Sequence, residues 1–127
     1  MTLSLTLLEG TFAVHRLEPG AEIPRQALRN PFFAITRTDE ELSLVLPETV
    51  MIKSDRADTG WACFKVQGPL DFGLVGILAG ISSALAKAGI AIFAISTFDT
   101  DYILVKREQV EAANEALIAA GHDVNIR

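Results

Sequence analysis

A chain of 127 residues, half of them hydrophobic and with a net charge of −5, can bury one medium core or two small units sharing one. Its 11 basic residues are scattered with no basic stripe, which argues against nucleic acid or an anionic membrane surface as a partner. The lone Cys63 rules out a disulfide framework within the chain and fits a reducing, cytoplasmic setting.

Taken in order, Leu3–Leu8 alternates apolar and polar, and Thr11–Leu17 does so loosely, with Glu9-Gly10 between them. Together they predict a hairpin. The N-terminus lacks a positive n-region and a cleavage signature, so it does not read as a signal peptide. Ile23–Arg29 is expected to make two turns of helix, stopped at Asn30-Pro31. Phe32–Thr36 and Leu42–Leu46 predict a second hairpin through the polar turn Thr38–Glu41. Glu48–Gly60, mixed and charged, reads as a connector with at most a short helix or strand.

Trp61–Val66 opens the second half as a strand, with Cys63 as a small core hydrophobe. Gly68–Gly73 is a glycine-rich loop. Leu74, Leu78, Ile81 and Leu85 then form one apolar helical stripe, with Ile77 and Ala88 beside it, ended by Gly89. Ile90–Ile95 is a buried strand, Ser96–Asp101 a polar turn, and Tyr102–Val105 the partner strand. Arg107–Ala120 is a second helix with the narrow stripe Val110, Ala113, Leu117 and Ala120, ended by Gly121. His122–Ile126 reads as an edge strand. The apolar length of Phe72–Ser96 could pass for a membrane span. Gly89 splits it, however, and Ser82, Ser83 and Lys87 make its first half amphipathic, so no membrane crossing is expected.

The second half is thus βαββαβ, and the first half a weaker copy with a doubtful second helix. The expected class is α+β: two ferredoxin-like modules in tandem, 1–60 degenerate and 61–127 complete, with antiparallel sheets and helices on one face.

A βαββαβ module with a Gly/Asp loop before its first helix resembles an ACT domain, the regulatory module of aspartate kinases and other amino-acid enzymes. The strings GPLDFGLVGILAGISSALAKAGI, IAIFAISTFDTDYILVKRE and FFAITRTDEELSLVLPE resemble, more narrowly, the ACT pairs of the cytosolic arginine sensors of the TOR pathway and their small bacterial relatives. That resemblance covers most of the chain from Phe32 onward, and its most specific element is Ser96-Thr-Phe-x-x-Asp101. It implies a non-catalytic module holding a free amino acid at a module junction. The contacts it implies are Leu70, Asp71, Phe72 and Gly73 from the loop, Ile77 one helical turn in, and Thr97, Phe98 and Asp101 from the turn. Where the arginine sensors carry an acidic residue just inside that helix, this chain has Leu74, which implies a smaller or less basic ligand. The sensors have four modules, so two here imply a homodimer, with a regulated protein as a further partner.

Chemistry gives each of these residues two readings. A ligand carboxylate is suited to helix-terminal amides near Asp71–Gly76, and Gly73 allows close approach. Asp71 serves equally as an N-cap. Asp99 and Asp101 are ordinary turn residues on composition alone. The resemblance assigns Asp101 to the ligand ammonium and leaves Asp99 in the turn. Gly73, Gly76 and Gly80 lack dinucleotide-motif spacing, and close helix packing is the expected reason for Gly76 and Gly80. His15 and His122 have no neighbour at metal-ligand spacing, and Ser82-Ser83 has no nearby base. Neither a catalytic function, a metal nor a cofactor is expected. The rival reading is a structural interaction module that dimerises or docks on a partner without a small ligand.

Overall fold

The fold is described by a computed structural model that covers residues 2–68, 70 and 75–126. Its strands are β1 (Ser4–Leu7), β2 (Phe12–Leu17), β3 (Ala34–Arg37), β4 (Leu42–Pro47), β5 (Arg56–Val66), β6 (Phe93–Ser96), β7 (Asp101–Lys106) and β8 (Asp123–Asn125). The helices are α1 (Ile77–Lys87) and α2 (Val110–Ala119). Two compact units result: Gly10–Trp61, and Ala62 onward together with β1.

In the first unit the strand order is β3-β4-β2-β5, every pair antiparallel. This is the ferredoxin-like order, with one helix reduced to the 3-10 turn Arg25–Leu28 and none between β4 and β5. The two helical turns expected over Ile23–Arg29 shrink to that single turn. Asn30 closes it, its side-chain amide donating to the carbonyls of Gln26 and Ala27 at 2.9 and 3.3 Å. Leu42, Leu44 and Leu46, at the period of a strand, meet Leu17 and Ala27 in the core. The connector expected over Glu48–Gly60 ends early. β5 begins at Arg56, because Ala57 and Asp58 pair with His15 and Val14 of β2.

In the second unit the order is β6-β7-β5-β1-β8. The hairpin expected between Leu3–Leu8 and Thr11–Leu17 does not form. β1 instead lies between β5 and β8, antiparallel to the first and parallel to the second. Leu3, Leu5 and Leu7 face one way, and that apolar edge fits the helix-covered core rather than a local turn. The Leu8 amide extends the pairing, donating to the Cys63 carbonyl at 2.9 Å. The expected all-antiparallel sheet is therefore mixed, with β1 and β8 parallel.

Phe64, Val66, Ile103 and Val105 share the face of Leu5 and meet Ile81 and Leu85 of α1 and Ala113 and Leu117 of α2. Both helices thus cover one face. Each ends as its glycine predicts. Gly89 and Gly121 have φ of +75° and +96°. Ile90 and His122 donate back to Leu85 and Leu117 at 3.0 and 3.1 Å. Cys63 is fully buried, and burial pushes its thiol pKa up to about 12, so it is chemically inert. Among the described residues, no helix is long and apolar enough to cross a membrane.

Candidate functional site

Ser96 and Asp101 are the last cross-strand pair of β6 and β7, and the chain between them folds back tightly. The Thr97 amide donates to the Thr100 carbonyl at 2.8 Å, and the Thr97 hydroxyl accepts from the Thr100 amide at 3.2 Å. Thr100 is buried, and its hydroxyl donates to the Val66 carbonyl at 2.5 Å, which fastens the turn to the end of β5.

The loop that follows β5 meets this turn directly. The Leu70 amide donates to the Asp99 carbonyl at 2.6 Å. A Cβ on Gly68 would stand 2.9 Å from that same oxygen, so only glycine lets the backbones approach this closely. The two loops bracketing the helix, about thirty residues apart in sequence, are in contact as the sequence reading requires.

The third wall is the start of α1. Its N-cap is Gly76, with φ +83°, and among the described residues no side chain caps the helix. The Gly80 amide makes the first helical bond, to the Gly76 carbonyl, at 2.8 Å. The amides of Ile77, Leu78 and Ala79 are left without intrahelical acceptors, at the positive end of the helix dipole. Gly76 is thus present for its left-handed backbone. A Cβ at Gly76 or Gly80 would meet nothing within 4 Å, so the close packing expected of both is not their reason.

These three segments enclose a cleft of about 340 Å3. Of the residues expected at a site, Leu70, Ile77, Thr97, Phe98 and Asp101 all line it. Asp71, Phe72 and Gly73, and the position of Leu74, lie outside the described residues. Leu70, Ile77 and Leu78 form an apolar wall continuous with the core. Asp101 is half-buried and Asp99 exposed. Phe98, 79 % exposed, stands at the rim.

Ser96 and Thr100 also line the cleft and were not among the contacts expected. The Ser96 hydroxyl donates to Asp101 Oδ1 at 2.5 Å. Its signal was present: in a tight turn the residues flanking the loop face each other across the strands. Thr100 gave no signal, since a threonine in a polar turn reads as exposed. The cleft therefore sets a polar floor, a helix start and an apolar wall around one small volume. That combination suits a small molecule with both charges and an apolar part.

A family model described as an ACT domain matches residues 56–119, from the start of β5 to the end of α2. A second model, described only as an N-terminal domain, matches residues 10–51. A crystal structure of an Agobacterium tumefaciens protein superposes with a TM-score of 0.93 at 38% identity, covering 100% of this chain and 95% of that one. The aspartate kinase of Clostridium acetobutylicum shares the fold, with a TM-score of 0.68 at 17% identity over 88% of this chain and 33% of the enzyme. A curated relative, the cytosolic arginine sensor for mTORC1 subunit 1 of Pongo abelii, is 28% identical over 125 residues. The aligned region is 91% of this chain and 38% of the sensor, so the chain spans well under half the length of that relative. With the family model matching half of its length and the βαββαβ unit in place, the chain belongs to the ACT domain family.

Proposed function

We propose that this chain is a non-catalytic regulatory module that binds a free amino acid in the cleft between α1 and the β6–β7 turn. The observation that carries the proposal is the pairing of a helix start at Gly76 with a half-buried carboxylate across one 340 Å3 volume. The ligand carboxylate takes the amides of Ile77, Leu78 and Ala79, where the helix dipole favours negative charge. The ammonium takes Asp101. Asp71, Phe72 and Gly73 complete the loop side, as the resemblance implies. The likeness to a cytosolic arginine sensor supports an amino acid as the ligand class.

Catalysis is a poor fit to this lining. Among the described residues that line the cleft there is no histidine, lysine or cysteine, and the one serine bonds to Asp101. In the proposed setting the protein works in the cytoplasm as a homodimer. A module of the second copy closes the cleft over the ligand, and the closed form is read by a regulated protein partner. Binding acts by favouring that closed form, through its differential affinity for it. The exposed Phe98 gives the rim apolar area for such closure.

A thermal-shift panel of the twenty amino acids tests the function. A ligand at about one hundred times its dissociation constant stabilises the fold by about 2.7 kcal/mol, a shift of several degrees for a domain of this size. A raised Tm with one or a few amino acids is expected, and silence across the panel at millimolar concentration contradicts it. Light scattering checks the dimer, with a mass twice 13.7 kDa expected and the monomer mass contradicting it.

A further inference from the structure

We infer that Arg37 closes the first unit's copy of the cleft, so that each chain takes one ligand and takes it in the second unit. The ligand count rests on the amino-acid reading of the cleft, and the closure by Arg37 does not. The first unit repeats the turn of the site bond for bond. Arg37 and Leu42 are the last cross-strand pair of β3 and β4, as Ser96 and Asp101 are of β6 and β7. The Thr38 amide donates to the Glu41 carbonyl at 2.9 Å, and the Thr38 hydroxyl accepts from the Glu41 amide at 3.1 Å. Thr97 and Thr100 make the same two bonds at 2.8 and 3.2 Å. The loops correspond as well. Ala21, four residues past the end of β2, packs on the first core as Leu70, four residues past the end of β5, packs on the second.

The groups assigned to the ligand do not repeat. Leu42, fully buried, stands where the second unit has the half-buried carboxylate of Asp101. In place of α1 there is the four-residue 3-10 turn Arg25–Leu28, capped by Pro24, which has no amide hydrogen to offer. The Ala27 amide is already bonded to the Pro24 carbonyl at 3.0 Å. Arg37 takes the place of Ser96. The serine reaches only across its own strand pair, to Asp101. Arg37 reaches the loop, its guanidinium donating to the carbonyl of Pro19 and, at 2.7 Å, to that of Ala21. A planar fork with five donors can hold two acceptors at once. The gap between turn and loop is thereby bridged by the chain's own side chain, whose fixed positive charge repels a ligand ammonium. The acidic residues of that turn, Asp39, Glu40 and Glu41, are exposed, where pairing with an ammonium is worth little.

Two measurements test the inference. Calorimetric titration of the wild type, with whichever of the twenty amino acids raises the Tm most, is expected to give one site per chain. More than one site per chain overturns the inference and spares the reading of the cleft. Hydrogen exchange reads the clamp without any ligand. The Ala21 amide donates to the Glu18 carbonyl at 3.0 Å, so it exchanges when the loop opens. Arg37→Ala removes the whole side chain, and Arg37→Met keeps the apolar stem without its donors. Both are expected to speed exchange at Ala21 about three- to tenfold, the low end for bonds from a charged donor because the site is exposed, while the amides of β7 keep their rates. Arg37 is exposed, so neither variant threatens the fold. Unchanged exchange at Ala21 in either variant overturns the closure by Arg37. A wild type silent toward all twenty amino acids overturns the reading of the cleft and the ligand count together, and the exchange result then decides the closure alone.

Discussion

Gly68 has no room for a side chain. A methyl group there would sit 2.9 Å from the Asp99 carbonyl oxygen and 3.1 Å from Thr100 Cβ, so Gly68→Ala must push the loop off the β6–β7 turn. The Leu70–Asp99 hydrogen bond would go with it. The expected outcome is a Tm lowered by a few degrees, about 1 kcal/mol for one lost bond, together with loss of ligand-induced stabilisation. An unchanged ligand response would show that this contact does not shape the cleft. Far from the cleft in sequence, His15 makes a separate residue-scale prediction. It is 7 % exposed, its Nδ1 is 2.9 Å from the Ser54 hydroxyl, and burial lowers its pKa from 6.5. The unfolded chain then binds the proton more readily than the folded one. The stabilising contribution of neutral His15 is complete above pH 6.5 and is lost as the pH falls through the lowered folded value. Between pH 7.5 and 5 the wild type should therefore lose more Tm than His15→Gln does, and parallel Tm profiles would contradict the assignment.

At the scale of elements, four glycines flank or sit in the helices, and their substitutions differ in sign. Gly80 lies inside α1, and a Cβ there meets nothing within 4 Å. Gly80→Ala should stabilise the protein by up to about 1 kcal/mol. Gly89 ends the same helix at φ +75°, so Gly89→Ala should destabilise by about 1 kcal/mol. Urea denaturation of the two variants decides it, and shifts of the same sign would contradict the account. These glycines also show what was legible in the sequence. Gly89 and Gly121 follow apolar stripes of helical period, which is local information, and both stops were placed correctly. Gly76 was assigned to packing, because its positive φ depends on how the preceding loop enters the helix, and no pattern in the chain encodes that. β1 failed for a similar reason. Its alternation marks a strand, but its partners β5 and β8 begin about fifty and more than a hundred residues away, and a nearby Glu-Gly pair suggested the neighbour instead. Thr97, Phe98 and Asp101, which line the cleft, were reached through the family resemblance, since turn chemistry alone reads them as an ordinary polar turn. The cleft was not legible at Thr100, whose role is a bond to Val66, thirty-four residues back.

For the whole molecule, an ACT unit built on mixed strand pairing carries a cleft whose walls come from three separated stretches of chain. Turn and loop are tied by the bonds from Thr100 to Val66 and from Leu70 to Asp99, so a ligand touching one of these two walls is coupled to the other. The central claim is that an amino acid bridges the start of α1 and Asp101. Two-dimensional 15N–1H NMR during titration with the amino acid that raises the Tm most reads that bridge residue by residue. The account predicts the largest shifts at the amides of Ile77, Leu78 and Ala79 and along Thr97–Asp101, all lost in Asp101→Ala while the remaining spectrum stays folded. Shifts concentrated elsewhere, or a response that survives Asp101→Ala, would contradict it.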